Sequence, residues 1–224
     1  MNGEAGLRRA AFHRLDGRTV TLTKNWVNVD INPRKLRGPW DDGYALDIHT
    51  RSSTPIGYDS YGHLRFDTIY SPVGELLYRL KSKADPSVIP ALVDAIASFW
   101  GMLKPPPVDV IVPVPPTKQR KYPPVMLVAA ELSKRMKVPL CTNRIVKVKR
   151  TAQLKDLVEY DKRMAALDGA FMVATARTEG KDILLFDDLY RSGATASVIT
   201  KLLNNEGKAK TVRLLTLTRT RSKL

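Results

Sequence analysis

Four consecutive apolar residues, Ile183, Leu184, Leu185 and Phe186, constrain the fold of this 224-residue chain more than any other feature. A run without polar alternation, Gly or Pro has no wet face, so it suits a strand covered on both sides, as in a parallel sheet between helices. The residues after the run are equally restrictive: Asp187 and Asp188, then Ser192-Gly193-Ala194-Thr195, then a helical pattern over 196–203. In open α/β sheets ligands bind beyond the carboxyl ends of the strands. The expectation is that the chain leaves the sheet at Asp187 and sets both carboxylates in that crevice.

The rest of the chain fits the same layout. An apolar strand is expected over 108–114 and further strands near Leu140 and over 144–148, 171–173 and 212–217, with helices over 72–85, 87–102 and 125–136. Strands alternating with helices favour right-handed crossovers and a parallel sheet flanked by helices. Upstream, the alternation of 18–31 suggests a hairpin, 32–43 reads as loop, 44–49 as a short strand and 50–67 as irregular. Two parts are therefore expected, an N-terminal β-containing extension or hood over 1–71 and an α/β domain over 72–224.

The turn after the acid pair has a specific chemistry. Gly193 lets the backbone pass close to a ligand, and a helix N-terminus offers unpaired N–H groups and the positive end of a dipole to a phosphate dianion. Ser192 and Thr195 add hydroxyl donors. Asp187 and Asp188 would repel phosphate directly but can accept hydrogen bonds from vicinal sugar hydroxyls, or share a divalent cation through water. A ribose carrying a 5′-phosphate satisfies both halves. An ordinary α/β protein can also end a buried strand in Asp-Asp before a helix cap.

The run Asp187-Asp188-Leu189-Tyr190-Arg191-Ser192-Gly193-Ala194-Thr195 resembles the phosphoribosyl-pyrophosphate (PRPP) signature of type I phosphoribosyltransferases. A second stretch, Pro113-Val114-Pro115-Pro116-Thr117-Lys118-Gln119-Arg120-Lys121, is similar to the Pro-Val-Pro loop of the ComF-type competence proteins within that superfamily. The resemblance covers about residues 72–218 and implies a type I phosphoribosyltransferase-like α/β fold. It implies that Asp187 and Asp188 serve catalysis by fixing the ribose, with Mg2+ held mainly through the ligand beside them. Arg191, Ser192, Gly193, Ala194 and Thr195 would bind the 5′-phosphate, and Pro115, Pro116, Thr117, Lys118, Arg120 and Lys121 the pyrophosphate. Arg150, Thr151 and Gln153 would belong to a mobile loop closing over the donor. For the basic residues a solvated surface loop is the alternative, and for the third segment an amphipathic helix held by Leu154, Leu157 and Met164.

The implied reaction is transfer of phosphoribose from PRPP to a nitrogen acceptor with release of pyrophosphate. In purine-salvage enzymes the position of Arg191 carries an acid that handles the base. An arginine, with a pKa above ~12, cannot serve there, which disfavours purine salvage. The alternative is non-catalytic sensing of PRPP, or binding of single-stranded DNA in DNA uptake, DNA processing or phage defence. Tyr44, His49 and His63 are candidates for an acceptor hood and receive no catalytic role.

Composition bears on partners. Lys and Arg number 37 against 22 Asp and Glu, for a formal charge of +15, and residues 118–150 hold ten basic side chains and one acid, Glu131. That excess favours phosphorylated metabolites or nucleic acid, although Tyr122 is the only aromatic within it. The lone Cys141 excludes an internal disulfide and a multi-thiolate zinc site. No signal-peptide pattern opens the chain, and the apolar tract over 88–103 falls short of the roughly 18 residues of a membrane span. The expectation is a cytoplasmic protein without a membrane span whose partners are PRPP and, as possibilities, single-stranded DNA and a second copy in a homodimer.

Overall fold

The computed structural model describes residues 29–116, 123–149, 160–174 and 178–221. Its centre is a five-stranded sheet in the order β1 (Arg34–Lys35), β2 (Asp42–Ile48), β9 (Thr211–Arg219), β8 (Asp182–Tyr190) and β5 (Val110–Pro113). The β2–β9, β9–β8 and β8–β5 pairs are parallel, and β1 runs antiparallel to β2. Leu140 adds a parallel bridge to Ile111 beyond β5. The expected α/β class and helix-flanked parallel sheet are what the chain forms.

The apolar run at 183–186 fills both faces, as its lack of alternation requires. Leu184 and Phe186 pack with α1 (Pro72–Ser82), α2 (Ile89–Leu103) and α3 (Pro124–Met136), through Leu77, Ile96 and Val128 among others. Ile183 and Leu185 pack on the opposite face with α4 (Tyr160–Leu167) and α5 (Ala194–Asn205). All four residues have zero exposure, so the sheet is the middle layer of three. Together with the 3-10 turn Pro86–Val88, α2 makes an 18-residue helical stretch, long and apolar enough to cross a membrane. Its Leu92, Ile96 and Phe99 are instead fully buried in the core.

Several elements differ from the sequence expectation. Residues 50–67, expected to be irregular, form most of a hairpin of β3 (Thr50–Tyr58) and β4 (Leu64–Tyr70). Its turn is built by Asp59, whose carboxylate accepts the N–H groups of Tyr61 at 2.9 Å and His63 at 2.8 Å. Pro55 and Gly57, which read as breakers, are absorbed in a register shift. The expected loop over 32–43 contains β1 and the start of β2. Strands expected near 144–148 and 171–173 form β6 (Ile145–Lys147) and β7 (Phe171–Val173), an antiparallel ribbon outside the main sheet. The expected hairpin over 18–31 lies outside the described residues except for its last three positions.

Candidate functional site

The acid pair sits at a step in the sheet. The chain does not leave the sheet at Asp187 as expected, because β8 stays paired to β9 through Tyr190, opposite Arg219. It is β5 that stops: its last pair is Pro113 with Phe186, closed by the Val114 N–H donating to the Phe186 carbonyl at 2.8 Å. From Asp187 onward one edge of β8 is released while the other is held, so the carboxylates are fixed by a ladder yet open on one side.

Strand alternation sends the two side chains to opposite faces. Asp188 falls on the face of Leu184 and Phe186, where Lys81 Nζ, from the last turn of α1, meets its Oδ2 at 2.7 Å. The two side chains are 28% and 14% exposed, so this pair is shielded rather than a loose surface contact. Asp187 accepts the Asp188 N–H on Oδ1 at 2.8 Å. Burial, and then the Asp188 carboxylate, push the Asp187 carboxyl up to about 8, against the lowering effect of that N–H and of Lys81. At neutral pH the free site therefore carries a proton on Asp187, and the Asp188 carboxylate is paired with the Lys81 ammonium. The repulsion of phosphate by two bare carboxylates, expected from the sequence, is largely cancelled.

Next to the acid pair the chain turns through Arg191 and Ser192 into α5. Gly193 has φ +81°, and a Cβ there would stand 2.5 Å from the Tyr190 hydroxyl oxygen, so both backbone and space call for glycine. The α5 ladder begins with the Ser197 N–H donating to the Gly193 carbonyl at 2.8 Å. The N–H groups of Ala194, Thr195 and Ala196 precede it and point from the helix end. Ala194 N–H is 3.5 Å from Ser192 Oγ. Arg191 is exposed, Ser192 and Thr195 are half-buried, and Gly193 and Ala194 are buried. The expected phosphate turn thus lies directly after the expected sugar-binding acids, on a helix of 12 residues.

Two residues join this site that the sequence did not assign to it, Lys81 and Thr218, together with His49, which the sequence offered only as a candidate for the acceptor hood. Lys81 reaches it from 107 positions upstream, and its place in the last turn of an amphipathic helix reads as an ordinary C-terminal cation. His49 follows β2; its N–H donates to the Arg219 carbonyl at 2.7 Å and its Nδ1 lies 3.3 Å from Thr218 Oγ1. That hydroxyl is also 3.4 Å from the Asp188 carbonyl. Burial, then Lys81, and also Arg191 hold the imidazole below its usual range, with Asp188 opposing, so His49 is neutral at neutral pH. Its ring meets Tyr70 edge to face at 5.4 Å, and Tyr70 stacks on Tyr78 at 4.8 Å.

Of the expected pyrophosphate residues, Pro115 and Pro116 follow the end of β5, beside the step. Thr117, Lys118, Arg120 and Lys121, and the expected mobile-loop residues Arg150, Thr151 and Gln153, lie outside the described residues. Among the described residues no group of three or more His, Cys, Asp or Glu side chains could hold a metal ion.

No family model matches the chain. The competence protein ComFC of Bacillus subtilis (strain 168) is 29% identical over 152 residues, covering 65% of this chain and 59% of that protein. The chain thus spans about three-fifths of the curated relative it matches. Among solved structures, similar chains include adenine phosphoribosyltransferase from Trypanosoma brucei in complex with AMP, pyrophosphate and ribose-5-phosphate, at 12% identity and a TM-score of 0.44. That match covers 78% of this chain and 70% of the other. Orotate phosphoribosyltransferase from Aeropyrum pernix is 15% identical with a TM-score of 0.37, covering 75% and 86% respectively. In sequence the chain is thus similar to a ComF competence protein.

Proposed function

We propose that this chain binds PRPP with Mg2+ at the step beyond β5 and transfers its phosphoribose to a nitrogen acceptor, releasing pyrophosphate. One observation carries the reading: two carboxylates, charge-compensated by a proton and by Lys81, stand immediately before a left-handed Gly193 turn into the N-terminus of α5. Acids that accept sugar hydroxyls and a helix end that accepts a phosphate are needed side by side by a ribose 5-phosphate, and few other ligands use both.

In this reading Asp187 and Asp188 orient the ribose through its 2- and 3-hydroxyls. Arg191 and the Ser192–Thr195 turn hold the 5′-phosphate. Lys118, Arg120 and Lys121, which follow Pro115 and Pro116 in sequence, receive the pyrophosphate as its bond to C1 breaks and the electron pair leaves with it. Arg150, Thr151 and Gln153 are assigned to binding of the donor. Mg2+, when bound, supplies positive charge to the pyrophosphate oxygens. Positioning and charge stabilisation supply most of the assistance, as suits a transition state with oxocarbenium character. Neutral His49, joined to the Asp188 carbonyl through the Thr218 hydroxyl, is available to contact an acceptor.

The test is thermal denaturation of the full chain with millimolar PRPP and Mg2+. The melting temperature is expected to rise, and Asp187→Asn combined with Asp188→Asn to remove the rise; a wild-type melt that ignores the ligand overturns the reading. Pyrophosphate release across a panel of bases and amines then separates transfer from PRPP sensing. A second reading, single-stranded DNA binding, is favoured by the ten basic residues between 118 and 150 and by the competence name of the relative.

A further inference from the structure

The β3–β4 hairpin is the most unusual surface of the molecule. Ile56, Tyr58, Tyr61, Leu64, Phe66 and Ile69 are 42–83% exposed, six of the ten large apolar side chains exposed among the described residues, gathered within 14 positions. Both faces contribute, since Phe66 and Ile69 have opposite parity on β4. A cluster of this kind marks a surface that another molecule covers.

The hairpin also has a free edge. Among the described residues it is a two-stranded sheet, so each strand has one side unpaired there. The β3 side is guarded: it carries Pro55 and a register shift, and its Arg51 carbonyl accepts Arg221 Nη1 at 2.7 Å. The β4 side has none of these protections, and Leu64, Arg65, Phe66 and Asp67 are all exposed with no Gly or Pro among them. Such an edge is a template for strand addition.

Charge identifies the occupant. In a chain of +15, the hairpin balances Arg51 and Arg65 against Asp59 and Asp67 and so carries no net charge with His63 neutral. A polyanion gains no attraction there, whereas a second copy of this basic chain meets the least repulsion there. The order Arg65-Phe66-Asp67 is moreover self-complementary. If β4 pairs antiparallel with a second β4 about a two-fold axis at Phe66, each Arg65 stands opposite an Asp67 and the two Phe66 rings meet. Neither Arg65 nor Asp67 has an ion-pair partner among the described residues.

We propose that two copies of this chain associate through β4, forming a continuous four-stranded sheet β3-β4-β4-β3 with Phe66 on its two-fold axis. The base of each hairpin, Thr50 opposite Tyr70, adjoins His49, so the assembly would hold two candidate sites at its two ends.

Sedimentation velocity of the full chain across the micromolar range is expected to show twice the 25.0 kDa chain mass. Arg65→Asp alone and Asp67→Arg alone are each expected to be monomeric, because each sets like charges opposite one another. An equimolar mixture of the two is expected to recover the double mass, because both opposed positions then carry opposite signs. Both side chains are exposed, and circular dichroism melts verify that the variants fold; Phe66→Lys, which places two cations on the axis, is a third variant expected to be monomeric. A wild type that stays monomeric, single reversals that stay dimeric, or a mixture that stays monomeric each overturn the proposal. So would a monomeric wild type whose oligonucleotide binding is abolished by Tyr58→Ala with Phe66→Ala, which assigns the hairpin to stacking bases instead.

Discussion

At the scale of single residues, Asp187 is the group whose state most affects the free protein. The native chain keeps a proton on it up to about pH 8, whereas the unfolded chain releases that proton near pH ~4. Between those values the native state binds the extra proton, so this group's contribution to stability is greatest at the acid end and declines as pH rises to about 8. Asp187→Asn removes the decline. Its melting temperature should exceed that of wild type by a few degrees at pH 8 and the gap should shrink towards pH 5; parallel curves for the two proteins would refute the assignment. Asp187, Asp188 and Gly193 were legible in the sequence because strand, acids and turn are consecutive, and local order sufficed. Lys81 was not, because a lysine ending a helix has an ordinary structural use, and His49 was legible only as a candidate for the acceptor hood. Only the packing of α1 and the β2–β9 register brings them to Asp188.

At the scale of elements, the Ser192–Thr195 turn is braced from the N-terminal segment. Trp40 is 6% exposed, its Nε1 donates to the Leu36 carbonyl at 2.9 Å, and a Cβ at either Gly38 or Gly43 would collide with its ring. The ring meets Tyr190 edge to face at 6.1 Å, and Tyr190 in turn lies over Gly193. Trp40→Ala should cost about 3–5 kcal/mol in urea denaturation. If the bracing is real, it should also weaken the PRPP-induced rise in melting temperature more than an equally destabilising core substitution at Leu132. An equal loss from both would leave Trp40 with packing alone. The main helices and the buried strands could be read in advance from continuous apolar runs and proline stops. The β3–β4 hairpin could not, because Pro55 and Gly57 signal a break that the register shift accommodates. Nor did 32–43 announce a strand pair, since its order depends on Trp40 finding a cavity that β8 and α5 complete.

At the scale of the molecule, charge and topology matter most. With +15 overall and ten basic residues between 118 and 150, affinity for single-stranded oligonucleotides, measured by fluorescence anisotropy, should fall about tenfold or more between roughly 50 and 200 mM salt. A flat response would remove nucleic acid from the partners this chain can take. The strand order has another outcome. β9, the last strand among the described residues, occupies the middle of the sheet between β2 and β8. During synthesis, β2 must therefore wait for residues 211–219 to clear the ribosome before it gains its parallel neighbour, 171 positions later. Such distant pairing slows folding and leaves strand edges exposed on the nascent chain. β9 thus acts as a keystone: until residues 211–219 are in place, β2 and β8 both lack the strand that joins them.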